Sequence, residues 1–202
     1  YRFPWSKNIG LNYITEKMEI DGILKFIKLT HDFQAVERVI RVKNSNRMEN
    51  DVEHCYQLAL CAWYIISTNK LSLDLDKVLK YALLHDLVEV YAGDTYIFDK
   101  DPEVLASKHQ RESDALDKLK IEFPEFPDLT NIIEEYEKRT DEESKFVYAL
   151  DKIIAPINIY LDDGRTWKEM KVTFDQLIEN KQDKVKANSE VEKYFLQLKE
   201  LF

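Results

Sequence analysis

Residues 81–94 read YALLHDLVEVYAGD, a run in which Ala82, Leu83, Leu84, Leu87, Val88 and Val90 surround a His-Asp pair. The apolar positions recur at three- and four-residue spacing, the signature of a helix, and Gly93 supplies its stop. On such a helix His85 and Glu89 share a face, with Asp86 about 100° round from His85, so all three can look toward one pocket. The apolar neighbours make that pocket dry. Burying an aspartate and a histidine there costs on the order of several kcal/mol unless partners satisfy them. A divalent cation is one such partner.

The same periodicity extends along the chain and predicts an all-α protein. Helices are expected at about 20–32, 53–67, 74–91, 102–120, 129–138, 142–161, 173–180 and 189–201, with a short helical turn around 36–39. Ile20, Ile23, Leu24, Phe26, Ile27 and Leu29 would face inward on the first of these. The segment EHCYQLALCAWYIIS, 53–67, is apolar nearly all round, which marks a central helix. Only four glycines and five prolines occur in 202 residues, and no stretch shows sustained β alternation. The length fits a single domain spanning 1–202, with a core at about 20–168 and a C-terminal helical extension, 169–202, packed on it.

The net charge of −9 opposes binding to nucleic-acid polymers, whose affinity comes largely from basic side chains on phosphates. No apolar run approaches the roughly 20 residues of a membrane span. The start, YRFPWSKNIGLNY, lacks the pattern of a secretory signal, and Cys55 and Cys61 read as small buried residues of a reducing compartment. The expected location is therefore the cytoplasm.

Two further ionisable side chains break apolar helical runs. His54 opens the helix 53–67, and Asp151 lies within FVYALDKIIAPI. With His85 and Asp86 they make a nitrogen and oxygen donor set from three helices, suited to one divalent ion. Manganese, iron, cobalt and nickel are favoured, and magnesium or zinc is compatible. Four protein ligands on a six-coordinate ion leave two positions for water and substrate.

VEHC at 52–55, LLHDLVEVYAGD at 83–94 and ALDK at 149–152 resemble the three metal motifs of the HD-domain phosphohydrolases. VERVIRVKNSNRMENDVEH and the later LDDGRTW resemble the branch that includes bacterial 5′-deoxynucleotidases, and the likeness runs from about Ile20 past Trp167. It implies that His54, His85, Asp86 and Asp151 hold the metal and that Glu89 orients or deprotonates the attacking water. It further implies that Asp94 contacts the sugar and helps complete the catalytic site, and that Arg38 binds the substrate phosphate. The expected activity is hydrolysis of a small phosphate ester, foremost a (deoxy)nucleoside 5′-monophosphate, by a homodimer. Hydrolysis of a cyclic nucleotide or a nucleoside triphosphate, or a non-catalytic nucleotide-sensing role, stays open. Val39 stands where those enzymes carry a tryptophan that helps reject the ribose 2′-hydroxyl, which leaves the sugar preference open as well.

The remaining polar residues read as structural. His31 and Asp32 have polar neighbours and form an exposed helix end, and His109 is a solvated helix-face residue. Arg47, Glu49 and Asn50 fix the loop before His54, with Glu49 and Arg47 in reach of the pocket rim, and Gly164, Arg165 and Trp167 form a turn and a packing anchor. The aromatic termini, Tyr1, Phe3 and Trp5 with Tyr194, Phe195 and Phe202, would supply a dimer surface or finish the core.

Overall fold

The computed structural model describes residues 11–99 and 101–201, with side chains from Ile20 onward. Two compact units are present, residues 1–32 and 33–202. The described part of the first is the helix α1 (Leu11–Gln34), which continues to the start of the second. Ile20, Ile23, Leu24 and Ile27, expected inside, are exposed, whereas Leu29 is buried. Among the described residues of this unit there is no second element against which the helix could bury an apolar stripe. His31 and Asp32 are exposed, and Asp32 pairs with Lys28 on the same helix.

The second unit opens with a hairpin where a helical turn was expected. β1 (Glu37–Arg41) runs antiparallel to β2 (Met48–Asn50), pairing Glu37 with Asn50 and Arg41 with Met48, with an irregular register between. Val39 and Ile40 are β-branched and favour extended backbone. The segment KNSN supplies the turn, with Asn44 in the left-handed region at φ 59°. Arg165 clamps this turn from far along the chain, donating from Nη2 to the Val42 carbonyl at 2.9 Å and the Ser45 carbonyl at 2.7 Å.

A reciprocal cap between Asn50 and Glu53 starts α2 (Asp51–Asn69). Leu58 and Ala62 are fully buried, but Tyr56, Leu60, Trp63 and Tyr64 are exposed along one side. The helix therefore has an outer face, contrary to the all-round apolar reading, because its main neighbours cover only the other side. Those neighbours are α3 (Leu75–Leu84), capped by Asp74, and α7, described below.

The helix expected to reach Tyr91 breaks at His85. Leu87 N–H bonds to the Leu84 carbonyl at 3.0 Å and Glu89 N–H to the Asp86 carbonyl at 2.8 Å, a tighter winding than the α-helix. The chain resumes as α4 (Glu89–Ala92) and stops at Gly93, whose φ of 75° suits a residue without Cβ. α5 (Pro102–Glu122) and α6 (Pro127–Lys138) each begin at a proline, which needs no N–H partner there.

Asp141 caps α7 (Glu142–Leu161), accepting from the Ser144 N–H at 2.7 Å. After Gly164 in the left-handed region, the expected turn is instead a short helix, α8 (Arg165–Met170). α9 (Phe174–Val185) extends past the Asn180 end read from its polar sequence, because Leu177, Lys181 and Val185 recur on one buried face. α10 (Ser189–Lys199) follows. One core gathers Leu58 and Ala62 of α2, Val78 and Tyr81 of α3, Phe146, Leu150 and Ile153 of α7, Val185, Val191 and Phe195. Phe195 is thus core, and Tyr194 is partly buried against that core. Tyr1, Phe3, Trp5 and Phe202 lie outside the described residues. No described helix is long and apolar enough to cross a membrane.

Candidate metal centre

α2, the end of α3 and the middle of α7 bring His54, His85, Asp86 and Asp151 to one point. His54 Nε2 lies 3.0 Å from Asp151 Oδ1 and 3.7 Å from Asp86 Oδ2. His85 Nε2 lies 3.1 Å from Asp86 Oδ2 and 4.0 Å from Asp151 Oδ1. Ligands about 2.1 Å from a shared ion sit about 3 Å apart when adjacent and about 4 Å apart when opposite, which matches this spread. His85 Nδ1 is 3.1 Å from the Ala82 carbonyl, which accepts its proton and turns Nε2 toward the carboxylates. That Nε2 is buried and has no hydrogen-bond partner. An orphaned imidazole nitrogen facing two carboxylate oxygens is a donor set that fits a divalent cation.

The break at His85 shapes the other side of the site. In the tighter winding residues three apart eclipse, so Asp86 and Glu89 align, and with Asp51 they bring three carboxylate oxygens within 4.8 Å of one another. Arg38 of β1 reaches into this cluster, donating from Nη1 to Asp86 Oδ2 at 2.9 Å and Asp51 Oδ1 at 3.2 Å, with its Nε 3.5 Å from Glu49 Oε2. Lys152 pairs with Asp151, and Lys108 Nζ lies 3.6 Å from Glu89 Oε1.

The titration of these groups follows from burial and crowding. Burial, aided by repulsion from Arg38, lowers His54 to about 4, so its ring is neutral and has a lone pair to donate near neutral pH. Burial opposes the charge on His85, but Asp86 beside it draws its pKa well up. Burial, then the charges of Asp86 and Asp94, push Glu89 well above the usual carboxylate range. Burial and Asp86 raise Asp51 to about 7. A cluster that forces its own acids to hold protons is one that added positive charge relieves.

Two cavities flank the cluster. A cavity of about 90 Å³ is bounded by Arg38, Val39, Asp94, Tyr96, Phe98 and Trp167, among others. A wider one of about 400 Å³ opens beside His85, Asp86, Lys108, Arg139, Asp151 and Lys152, with exposed His109 at its edge. All seven residues singled out from the sequence, Arg38, His54, His85, Asp86, Glu89, Asp94 and Asp151, therefore gather in one region.

Sequence reading missed Asp51, although it stands three residues before His54 and so shares its helix face. It also missed Lys108 and Lys152, which sit in charged surroundings and carry no distinguishing pattern. Glu49, read as a loop anchor in reach of the pocket rim, is buried and meets Arg38 as well as Asn158. Trp167, read as a packing anchor, lines the smaller cavity.

The family profile described as HD domain matches residues 17–192. The 5′-deoxynucleotidase HDDC2 of Mus musculus is 33% identical over 134 residues, covering 65% of this chain and 65% of that protein. The protein of the same name from Danio rerio is 33% identical over 139 residues, 66% of each chain. The chain thus matches about two thirds, or slightly less, of these relatives' length. Among solved structures, a predicted metal-dependent phosphohydrolase from Magnetospirillum magnetotacticum aligns with a TM-score of 0.74 at 27% identity, covering 89% of this chain and 90% of its own. The PH0347 protein of Pyrococcus horikoshii, with a TM-score of 0.60 at 19% identity over 91% and 99% of the two chains, shares the fold.

Proposed function

The chain belongs to the HD domain family, and from that premise we propose that it is a metal-dependent phosphomonoesterase acting on a nucleoside 5′-monophosphate. The observation that carries the reading is the meeting of two histidines and two aspartates from three helices, with an arginine and a buried glutamate beside them. His54, His85, Asp86 and Asp151 would hold one divalent ion, of the manganese, iron, cobalt or nickel type given the mixed nitrogen and oxygen donors. Such an ion, when bound, supplies the Lewis acidity that polarises a phosphoryl oxygen.

The residues of the chain do the rest. Arg38, held on the hairpin among Asp86, Asp51 and Glu49, turns its guanidinium to the phosphoryl oxygens and offsets their charge. Glu89 takes a proton from the attacking water at Oε2, an oxygen that is buried and unpartnered. Water attacks phosphorus in line, the new P–O bond forms as the ester P–O bond breaks, the departing oxygen takes up a proton from solvent while Glu89 returns its own to solvent, and nucleoside and inorganic phosphate leave. Asp94 lines the smaller cavity with Arg38, which supports contact with the sugar as its role. Val39 lines it too, where the resembling enzymes carry tryptophan, so ribo- and deoxyribonucleotides both belong in a test. The deoxynucleotidase relatives favour the deoxy series as substrate.

The test is phosphate release from a panel of mononucleotides with manganese or cobalt, with and without a chelator. Chelator-sensitive release from one or more of them is expected. Absence of metal-dependent release from every phosphate ester would overturn the reading. The protein's place is the cytoplasm, in line with two cysteines that form no disulfide. Its assembly is a homodimer through the exposed face of α2, where Tyr56, Leu60, Trp63 and Tyr64 form an apolar surface of the kind that marks contact sites.

A further inference from the structure

Lys181 sits on α9 one turn after Leu177, and both line the smaller cavity with Arg38, Asp94 and Trp167. Its residue is only 6% exposed. A lysine normally lays its methylenes along apolar surface and keeps its ammonium in water. Here Ala155, Pro156 and Ile159 of α7 line the same cavity, and the side chain has no hydrogen bond or ion pair among the described residues. The residue nonetheless lines the cavity.

Of the other cations near the cluster, three have acids of their own, and Lys184 donates to Asn180 Oδ1 at 3.0 Å. Arg38 is held by Asp86 and Asp51, Lys152 by Asp151, and Lys108 by Glu89 and Glu112. Arg38 and Lys181 are the two cations lining this cavity among the described residues, and Lys181 is the one without an acid. An unpaired buried ammonium is costly to the fold, and an anion entering the cavity removes that cost. Tyr96 and Phe98, at a ring separation of 5.7 Å, line the same cavity with Trp167.

We propose that Lys181 is a substrate-binding residue, its ammonium donating to a phosphoryl oxygen of the phosphate ester held in the Arg38–Trp167 cavity. This deepens the phosphomonoesterase reading and rests on it for the identity of the ester. Burial, then repulsion from Lys152, lowers Lys181 to about 7, and Lys184 and Arg38 push the same way while Asp151 opposes them. A phosphate dianion bound next to it restores the full charge. The long reach of α9 beyond Asn180 thereby acquires a purpose, since a helix stopping there would not carry residue 181 over the cavity.

The experiment compares the metal-loaded wild type with Lys181→Met and Lys181→Arg. Inorganic phosphate binding is measured by calorimetry, metal content by elemental analysis, and KM and kcat on the best mononucleotide. Lys181→Met is expected to keep the metal and a melting temperature no lower than wild type, to bind phosphate about 10- to 100-fold more weakly, the range of one charge-assisted hydrogen bond, and to show the loss mainly in KM. Lys181→Arg is expected to recover part of the affinity. Phosphate affinity unchanged in a metal-replete Lys181→Met protein overturns the proposal, as does a metal-loaded wild type that binds no phosphate. If the wild type hydrolyses no ester at all, the enzymatic reading fails separately, and weaker phosphate binding by Lys181→Met still supports the role of the lysine.

Discussion

Glu89 and Asp86 stand three residues apart on the same tightened turn, yet removing them should have different consequences. Asp86 meets both histidines as well as Arg38, so Asp86→Ala takes away a ligand and the partner of a buried cation. Elemental analysis of the purified variant is expected to show metal fallen from stoichiometric to trace amounts. Glu89 touches neither histidine. Glu89→Gln keeps the shape and should keep the metal, while kcat drops by about 10²- to 10⁴-fold, the usual contribution of a general base. Full activity in Glu89→Gln would remove the glutamate from the mechanism. The meeting of these residues in one region was legible because each acid or histidine interrupts an apolar helical run. The burial of Lys181 was not, because ENKQDK is polar throughout and gives no sign that one of its lysines turns inward.

At the level of elements, caps decide where the site-bearing helices begin. Burial alone would raise the Asp141 carboxyl, but the Ser144 backbone N–H and then Lys77 bring it down to about 2. A carboxyl whose folded pKa lies below its unfolded value near 3.9 stabilises the fold above that value and loses the contribution as pH falls toward the folded one. Asp141→Ala should therefore cost about 1 kcal/mol at neutral pH, as typical N-cap losses do, with the gap to wild type closing between about pH 4 and 2 in denaturant titrations. A gap that stays constant across that range would contradict the assignment. Gly93→Ala should destabilise by about 1 kcal/mol through backbone strain alone, since nothing lies within 4 Å of the added methyl. The helices themselves were legible from three- and four-residue periodicity, α7 to the residue. The hairpin was not, since strands of five and three residues are too short to show alternation. Nor was the break after Leu84, because HDLV continues helical spacing and only its hydrogen bonds reveal the tighter winding.

For the whole molecule, metal and stability should be linked. A ligand that binds only the folded chain stabilises it by about 2.7 kcal/mol at one hundred times its Kd, so manganese or cobalt at that excess should raise Tm by several degrees and a chelator should reverse the rise. A Tm indifferent to both would mean that the four donors hold no ion in solution. Trp63→Glu, placed on the exposed face of α2, should shift the mass measured by light scattering toward the monomer while leaving metal content intact. Unchanged mass would leave that face without the role given to it.

The clamp that Arg165 places on the hairpin also sets an order in time. Its bonds to Val42 and Ser45 span 123 and 120 residues, among the longest loops the chain must close. Contacts of such separation form late, because their closure entropy is lost before any contact rewards it. α2 and α3 adjoin in sequence and can pair early, so His54 meets His85 and Asp86 before β1 is secured. Arg38 meets Asp51 across only 13 residues, whereas Asp151 must close 97 to reach His54 and so joins the cluster late. In refolding followed by stopped flow, the pairing of α2 with α3 should return ahead of phosphate affinity, and Arg165→Ala should lengthen the interval between them.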